Sequence, residues 1–522
     1  MKESIKAAWE QHPLTLILFC GLFFRLIAVI FSKGYGMHDD HFLIIEPAAA
    51  WLDGYNYTHH WLPNTDVQRP DGFTLFYSGI NYIVLLLCRL CGLDDPQGKM
   101  YVIRFLNALW SLLVIVYGYK IAERYAGMKV ARQVGMILAL LWFMPMFAVR
   151  NLVEVVCMPA LLIATYYLTD KEKKDKIITY LWIGFWCGIA FNLRFQSALF
   201  IAGVGLIVLF RKNWKGFLMF AVAGIATVLA MQLVADELIW GQPFAELSAY
   251  IKYNVTHAND VITGGWYNYI LLLGGLLIPP VSLFILFGYA RSWKKYPELF
   301  WPTFLFFFFH SIFPNKQERF ILPVVPVIIV LGCIGWNEYI AQSGFWQKRA
   351  RLLKICWTFF WILNLIALPV ISLTYSKRSR VESMCYLSKQ KDLRNVMEEN
   401  TNENDAIQVP IFYINKWDVD VINVTKKSNL AKAYYYYTKD FPKSLHPNYV
   451  IFFGKKNIGA RVDSFKKVYP DAELKTVIHP SFIDQVMEFL NPVNKNENAY
   501  IYKFNPDGAI VPSPSDTISS GH

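Results

Sequence analysis

Charge is scarce in this chain. Only 17% of its 522 residues are charged, against 55% hydrophobic and 16% aromatic. Globular domains usually carry about 25% charged residues, so an ordinary soluble protein of this length is excluded. The eight cysteines offer no framework. Cys20, Cys157, Cys187, Cys333 and Cys356 lie in apolar runs, Cys385 stands alone, and Cys88 and Cys91 have no second pair. Neither a disulfide scaffold nor a zinc site follows from that spacing. Nucleotide motifs are missing too, with no Walker loop and no GxGxxG opening a helix after a strand. The formal net charge of +12 does not point to nucleic acid, because Lys and Arg gather in short loops between apolar runs.

Those apolar runs are about 16–23 residues long, the length that crosses a ~30 Å hydrocarbon core. The first, Leu14–Phe31, is too long for a cleaved signal and reads as a retained span. Five loops between runs are basic: Lys120–Arg132, Asp170–Lys176, Arg211–Lys215, Arg291–Lys295 and Gln347–Lys354. With the N-terminal MKESIK they belong in the cytoplasm. Alternation then predicts about eleven spans, near 12–32, 101–119, 132–149, 152–169, 177–193, 196–210, 216–235, 268–290, 299–313, 320–336 and 354–375. Phe76–Leu90, which carries Asn81 and Arg89, must then lie in the outer interface without crossing.

The expected fold class is an all-α polytopic membrane protein with a small C-terminal extracytoplasmic α/β domain. Residues 1–375 form the transmembrane module, with an outer loop at 33–100. From 376 the composition turns to Lys, Asn, Asp and Tyr. Strand-like runs at Ala406–Ile414, Asn448–Gly454 and Ala499–Phe504, with helical stretches at Arg461–Tyr469 and Phe482–Leu490, predict an α/β domain over 376–510. The tail 511–522 is expected to be disordered.

This topology puts every remaining polar motif on the outer face. His38-Asp39-Asp40-His41 follows the first span, and Glu46 comes two helical turns on. Adjacent carboxylates there are either solvated residues that stop a helix or a general base with a positioning partner. Arg150 and Glu154 are four apart, the spacing of a shared helix face and an ordinary salt bridge. Arg194 stands in apolar sequence with no neighbouring acid. It is either a snorkelling anchor or a fork for two phosphate oxygens. His310, Lys316, Glu318 and Arg319 lie between two apolar runs broken by Pro314, as a plain hairpin or as a cationic pocket for an anion. The aromatic and amide-rich loop 236–266 suits a membrane interface or a carbohydrate site. A site on the outer face needs an activated substrate carried in the membrane, and a lipid-phosphate-linked group fits.

Taken in order, these motifs resemble the GT-C superfamily of membrane glycosyltransferases, and within it the mannosyltransferases of GPI-anchor and N-glycan synthesis. That family's first outer loop reads roughly H-P-D-E-x-F-Q-x-x-E-x-A-H. Here it reads M-H-D-D-H-F-L-I-I-E-P-A-A from Met37. Val149–Glu154 is similar to its T-R-x-x-S-N-x-x-E hinge, and Arg194-Phe195-Gln196 to its R-P-T element. Asp236, Trp240-Gly241, Asn254 and Gly264-Gly265-Trp266-Tyr267 follow its long loop. His310-Ser311 through Phe320 follow its H-S-x-x-x-H-K-E-x-R-F. The likeness covers about residues 10–335.

The resemblance implies an inverting transfer of a sugar, mannose first among candidates, from a polyprenyl-phosphate carrier to a hydroxyl. The acceptor would be a lipid-linked glycan, a glycolipid or a protein. Asp39, or Asp40 as second choice, would be the catalytic base. Glu46, Arg150, Glu154, Arg194, Trp266, Tyr267, His310, Lys316, Glu318 and Arg319 would bind substrates. No resident cofactor or metal site is expected, and a divalent-metal requirement stays open. Partners are the lipid donor, the acceptor and membrane lipids, with no nucleic acid. The alternative is a transporter or flippase of lipid-linked or small polar substrates, but the sequence shows no inverted repeat and no matching pair of broken helices. A carrier of another sugar, such as a pentose or an aminosugar, is the nearer rival. The sequons at Asn56, Asn254 and Asn423 fall on the outer side, although such triplets arise by chance. The unfamiliar C-terminal domain favours a bacterial inner membrane over the endoplasmic reticulum.

Overall fold

The computed structural model describes residues 2–55, 74–170, 172, 176–257, 263–428, 434 and 446–510. The sequon at Asn56, residues 171 and 173–175 of the basic loop, residues 258–262 of the long loop and the tail 511–522 lie outside the described residues.

The protein is a multi-pass membrane protein. Among the described residues five helices are long and apolar enough to cross a bilayer: Pro13–Phe31, Pro96–Leu140, Trp214–Trp240, Glu318–Gln342 and Ala350–Ser372. Shorter apolar helices at Val153–Leu168, Ile177–Leu193, Phe195–Phe210 and Val281–Arg291 fall on other expected spans. Phe76–Leu90 is a helix of 15 residues.

Local chemistry sets several boundaries differently from the expectation. The basic loop expected at Lys120–Arg132 is helical, and the 45-residue helix Pro96–Leu140 is broken only at Gly127, whose φ is 74°. Glycine takes that left-handed conformation without a Cβ clash, so two runs are joined by a kink. The run 268–290 is divided into Asn268–Leu276 and Val281–Arg291, because Pro279 and Pro280 lack the N–H that would continue the ladder.

Clustering of contacts divides the chain into two compact units. The larger comprises Met1–Ser32, Thr58–Leu86 and Tyr101–Leu373. At its centre the helix Val325–Gln342 is buried along every residue from Val325 to Trp336. It packs on Val281–Arg291 through glycines. A Cβ on Gly288 would run into the Gly332 carbonyl and the Trp336 amide, and one on Gly335 into the Gly288 carbonyl. Small residues let helix backbones approach where lipid supplies no hydrophobic drive between them. Phe284 stacks on Trp336 with ring centres 4.2 Å apart, beside the seam.

The smaller unit comprises Lys33–Tyr57, Leu87–Met100 and Thr374–His522. It holds a five-stranded sheet of β1 (Asn395–Asn400), β2 (Val421–Thr425), β3 (Pro447–Phe453), β4 (Glu473–Ile478) and β5 (Ala499–Lys503), in the order β2-β1-β3-β5-β4. β1 runs parallel to β2 and β3, while β5 is antiparallel to β3 and β4. The helix Ile458–Val468 covers it, with Phe465 against Phe452 and Phe504. Two of the expected strands form, at β3 and β5. Ala406–Ile414 does not. Its last four residues make a 3-10 turn after Pro410.

β1 was not legible as a strand because it reads NVMEEN. Both of its acids are buried and satisfied by tertiary partners. Glu398 accepts from the Ile407 amide, and Glu399 takes the Arg461 Nε–H at 2.7 Å. Burial pushes the Glu398 carboxyl up to about 8.

Gly288→Ala should lower the melting temperature of the detergent-purified protein by several degrees, since overpacking typically costs about 1–3 kcal/mol. Gly274→Ala, where a Cβ meets nothing within 4 Å, should leave it unchanged or slightly raised. Differential scanning fluorimetry of the pair checks this.

Candidate active site

In the larger unit three of the expected site residues, Glu154, Arg194 and Arg319, meet. The helix Met144–Ala148 ends before a break at 149–152, and Val153–Val156 starts a new turn. Arg150 and Glu154 therefore do not share a continuous helix face, and the expected local pair gives way to tertiary ones. Glu154 Oε1 takes the Arg194 guanidinium in a short contact and has Arg319 Nε at 3.6 Å. All three are buried. Arg194 leaves the helix Ile177–Leu193 in extended conformation, at φ −156° and ψ 112°, immediately before the turn Phe195–Ser197. Its guanidinium lies 5.3 Å from the Phe320 ring centre.

One carboxylate thus faces two cations. The Nε and Nη2 of Arg194 are buried without a hydrogen-bond partner among the described residues. An unmet buried donor costs about 1–3 kcal/mol, more when charged. The arrangement is chemically suited to accept anionic oxygens.

The expected pocket around Lys316 is ordered by its neighbours. Lys316 Nζ donates to the His310 carbonyl at 2.9 Å and to that of Phe313. It lies 5.5 Å from the Tyr269 ring centre, and burial pushes its amine below the ordinary lysine range. His310 Nδ1 is 2.8 Å from the Phe306 carbonyl. Thr263 forms an antiparallel bridge with Asn315, and Tyr269 OH donates to the Gln317 carbonyl at 3.1 Å. The long loop and the 310–320 hairpin are therefore stitched together. Trp266 and Tyr267 stand exposed beside that seam, with ring centres 5.9 Å apart, and Glu318 is exposed. Arg150 is buried and donates from Nη2 to Ser32 Oγ at 3.1 Å.

The first-loop acids belong to the smaller unit. Asp39 and Asp40 open the short helix Asp39–Phe42. Asp40 is buried and accepts from the Gly36 amide at 2.9 Å, while Asp39 keeps 40% of its side chain exposed. Glu46 is wholly buried. Both its oxygens lie 3.1 Å from the Phe412 amide, and Oε1 is 3.1 Å from His41 Nε2. The His41 ring is stacked with Tyr35 and with Tyr413. Glu46 thus clamps the first outer loop to the 3-10 turn Ile411–Ile414. His38 approaches Gln408 by its Nε2 and Asp39 by its Nδ1. Burial works to lower the His38 pKa, but its hydrogen bonds to Asp39 and Gln408 and the charges of Asp39 and Asp40 together outweigh burial and leave it raised.

Fold and site together define a multi-pass membrane protein with a buried carboxylate held by two arginines. The fold matches that of ArnT from Cupriavidus metallidurans bound to undecaprenyl phosphate, with a TM-score of 0.56 at 14% identity over 94% of this chain and 97% of that one. The model of the Alg9-like mannosyltransferase family matches residues 16–418, and the chain belongs to that family. It is 26% identical to the mouse alpha-1,2-mannosyltransferase ALG9 over 281 residues, which is 50% of this chain and 45% of the relative. It is 25% identical to GPI mannosyltransferase 3 of Yarrowia lipolytica over 409 residues, 76% of this chain and 74% of the relative. The chain thus spans about half the length of the mouse protein.

Sequence reading passed over Glu246. It is fully buried at the start of the helix Ala245–Thr256. Its carboxylate accepts from the Leu75 amide at 3.0 Å, Gln232 Nε2 at 2.7 Å and Trp240 Nε1 at 3.2 Å. Gln232 lies in a π-helical turn, Leu229–Leu233, a feature frequent at functional sites. Next to Leu75, Thr74 Oγ1 donates to the Asn192 carbonyl at 2.8 Å, two residues before Arg194. On the same helix as Glu246, Tyr250 packs on Phe195. Glu246 thus ties the long loop to the backbone that presents Arg194. The only signal in the sequence was an acid among apolar and aromatic neighbours.

Burial, with Asp236 adding like charge, raises the Glu246 carboxyl from 4.5 to about 7 against the pull of its donors. Between those values the native state holds a proton that the unfolded chain has released, so stability falls as pH rises through that window and is level above it. The melting temperature of wild type minus that of Glu246→Gln should therefore decline from pH 5 to pH 7.5. A difference that is flat with pH would contradict the raised pKa.

Proposed function

We propose that the chain transfers a hexose, mannose in the first instance, from a polyprenyl-phosphate carrier to a hydroxyl on a lipid-linked glycan, glycolipid or protein. The observation that carries this reading is the buried Arg194, with two unmet N–H donors and a carboxylate shared with Arg319. Family membership supports a sugar as the transferred group, since the relatives are named as mannosyltransferases. The undecaprenyl phosphate bound to the ArnT relative supports a lipid phosphate as the carrier.

In the reaction the acceptor oxygen forms a bond to the sugar C1 as its proton passes to Asp39. The C1–O bond to the phosphate breaks with inversion, and the carrier leaves as a phosphate monoester bearing one more negative charge. Arg194, Arg319 and Lys316 stabilise that charge, and preorganised cations in a dry site act strongly on a developing anion. Asp39, the more exposed of the pair, is the base. Asp40, braced on Gly36, positions it, and Glu46 holds the loop in shape. Arg150, Glu154, Trp266, Tyr267, His310 and Glu318 shape the binding site. The basic connectors support an extracytoplasmic face for this chemistry. A bacterial inner membrane is the favoured compartment, because the C-terminal sheet lies largely beyond the family match at residue 418.

Asp39→Asn should lower transfer from a radiolabelled polyprenyl-phosphate mannose by about 10²–10⁴-fold, the usual contribution of a general base, while donor binding persists. Arg194→Gln should weaken donor binding itself. Full turnover by Asp39→Asn would remove the base assignment. Lipid-linked substrate crossing liposomes with no glycosylated product would favour a transporter instead.

A further inference from the structure

The helix Phe482–Leu490 in the smaller unit has one face that nothing in the sheet uses. Phe482, Val486, Phe489 and Leu490 follow the i, i+4, i+7, i+8 spacing of a single helical stripe. Phe482 is 74% exposed, Phe489 86% and Leu490 70%. Three bulky apolar side chains in water on one short helix mark an interaction surface.

The opposite face of this helix is pinned. Asp484 is buried, and its carboxylate accepts from the backbone amides of Lys377 at 2.8 Å and Arg378 at 2.9 Å. It also forms a capping box with Ser481. Lys377 Nζ adds bonds to the Asn494 carbonyl and to Asn496 Oδ1. The helix is therefore fastened to residue 377. The membrane-length helix Ala350–Ser372 ends five residues earlier. An extended chain of five residues reaches at most about 18 Å. The polar headgroup zone is itself several ångströms deep, and an interfacial helix sinks its apolar face about 5–10 Å into the headgroup boundary. The last turns of the span present apolar surface of their own, with Val370 44% and Leu373 50% exposed.

We propose that Phe482–Leu490 is a membrane-surface helix that seats its Phe482, Val486, Phe489 and Leu490 stripe in the phospholipid headgroup layer. Its polar side carries Asp484 and Glu488, so attachment comes from apolar area and not from attraction to anionic lipid. Asp484 is the latch that couples the lipid-bound helix to the chain leaving the membrane. The assignment is independent of which sugar the protein transfers.

The full-length protein in phosphatidylcholine nanodiscs doped with a diazirine-bearing phosphatidylcholine tests this. After photolysis and peptide mapping by mass spectrometry, label is expected on 482–490 as well as on Ala350–Ser372, unchanged in 0.5 M salt. The double variant Phe482→Ser, Phe489→Ser should lose label on 482–490 by roughly fivefold or more and keep it on 350–372. Labelled spans beside an unlabelled 482–490 in the wild-type protein would overturn the proposal, and so would cross-linking of this helix to a second copy of the chain.

Discussion

A charge that cannot reach water must find an opposite charge or a ring of donors, and in this chain that constraint is met first at Glu154. Its carboxylate is held between Arg194 and Arg319, far apart in sequence and brought to one point by three separate segments. A buried carboxylate with one cation is near neutral. With two it leaves positive charge in a place where desolvation is costly. Such an arrangement is rarely kept for stability alone, and it suits the reception of a phosphate.

The same logic recurs at the other acids. Glu46 is buried because Phe412 and His41 supply donors. Glu246 is buried because Leu75, Gln232 and Trp240 do. Glu399 is buried because Arg461 does, and Asp484 because two backbone amides do. Each of these carboxylates joins segments remote in the chain. Of Asp39, Asp40 and Glu46, Asp39 retains the most access to solvent.

Much of the architecture was legible beforehand. Apolar runs near 12–32, 177–193 and 354–375 became helices at almost those bounds, since length and hydropathy alone decide what satisfies backbone hydrogen bonds in lipid. The strands at 447–453 and 499–503 and the helices at 458–468 and 482–490 followed from ordinary periodicity. Other elements were opaque. Asn395–Asn400 is a central strand despite two adjacent glutamates, because Arg461 and the Ile407 amide compensate them from other parts of the chain. Ala406–Ile414 has the pattern of a strand, yet its end turns after Pro410 to meet Glu46.

The sequence by itself determined the membrane class, the placement of polar motifs between apolar runs and the presence of a separate C-terminal sheet, because hydrophobic length, charge distribution and period are local properties of the chain. Only the tertiary structure decided that Glu154 serves Arg194 and Arg319 in place of Arg150, and that Glu246 bonds Leu75, next to the Thr74 that holds the backbone ahead of Arg194. It alone showed that Asp484 fastens an apolar helix five residues beyond a span. Partnerships between buried charges depend on three-dimensional proximity across long loops, and no spacing in the chain records which acid will find which base.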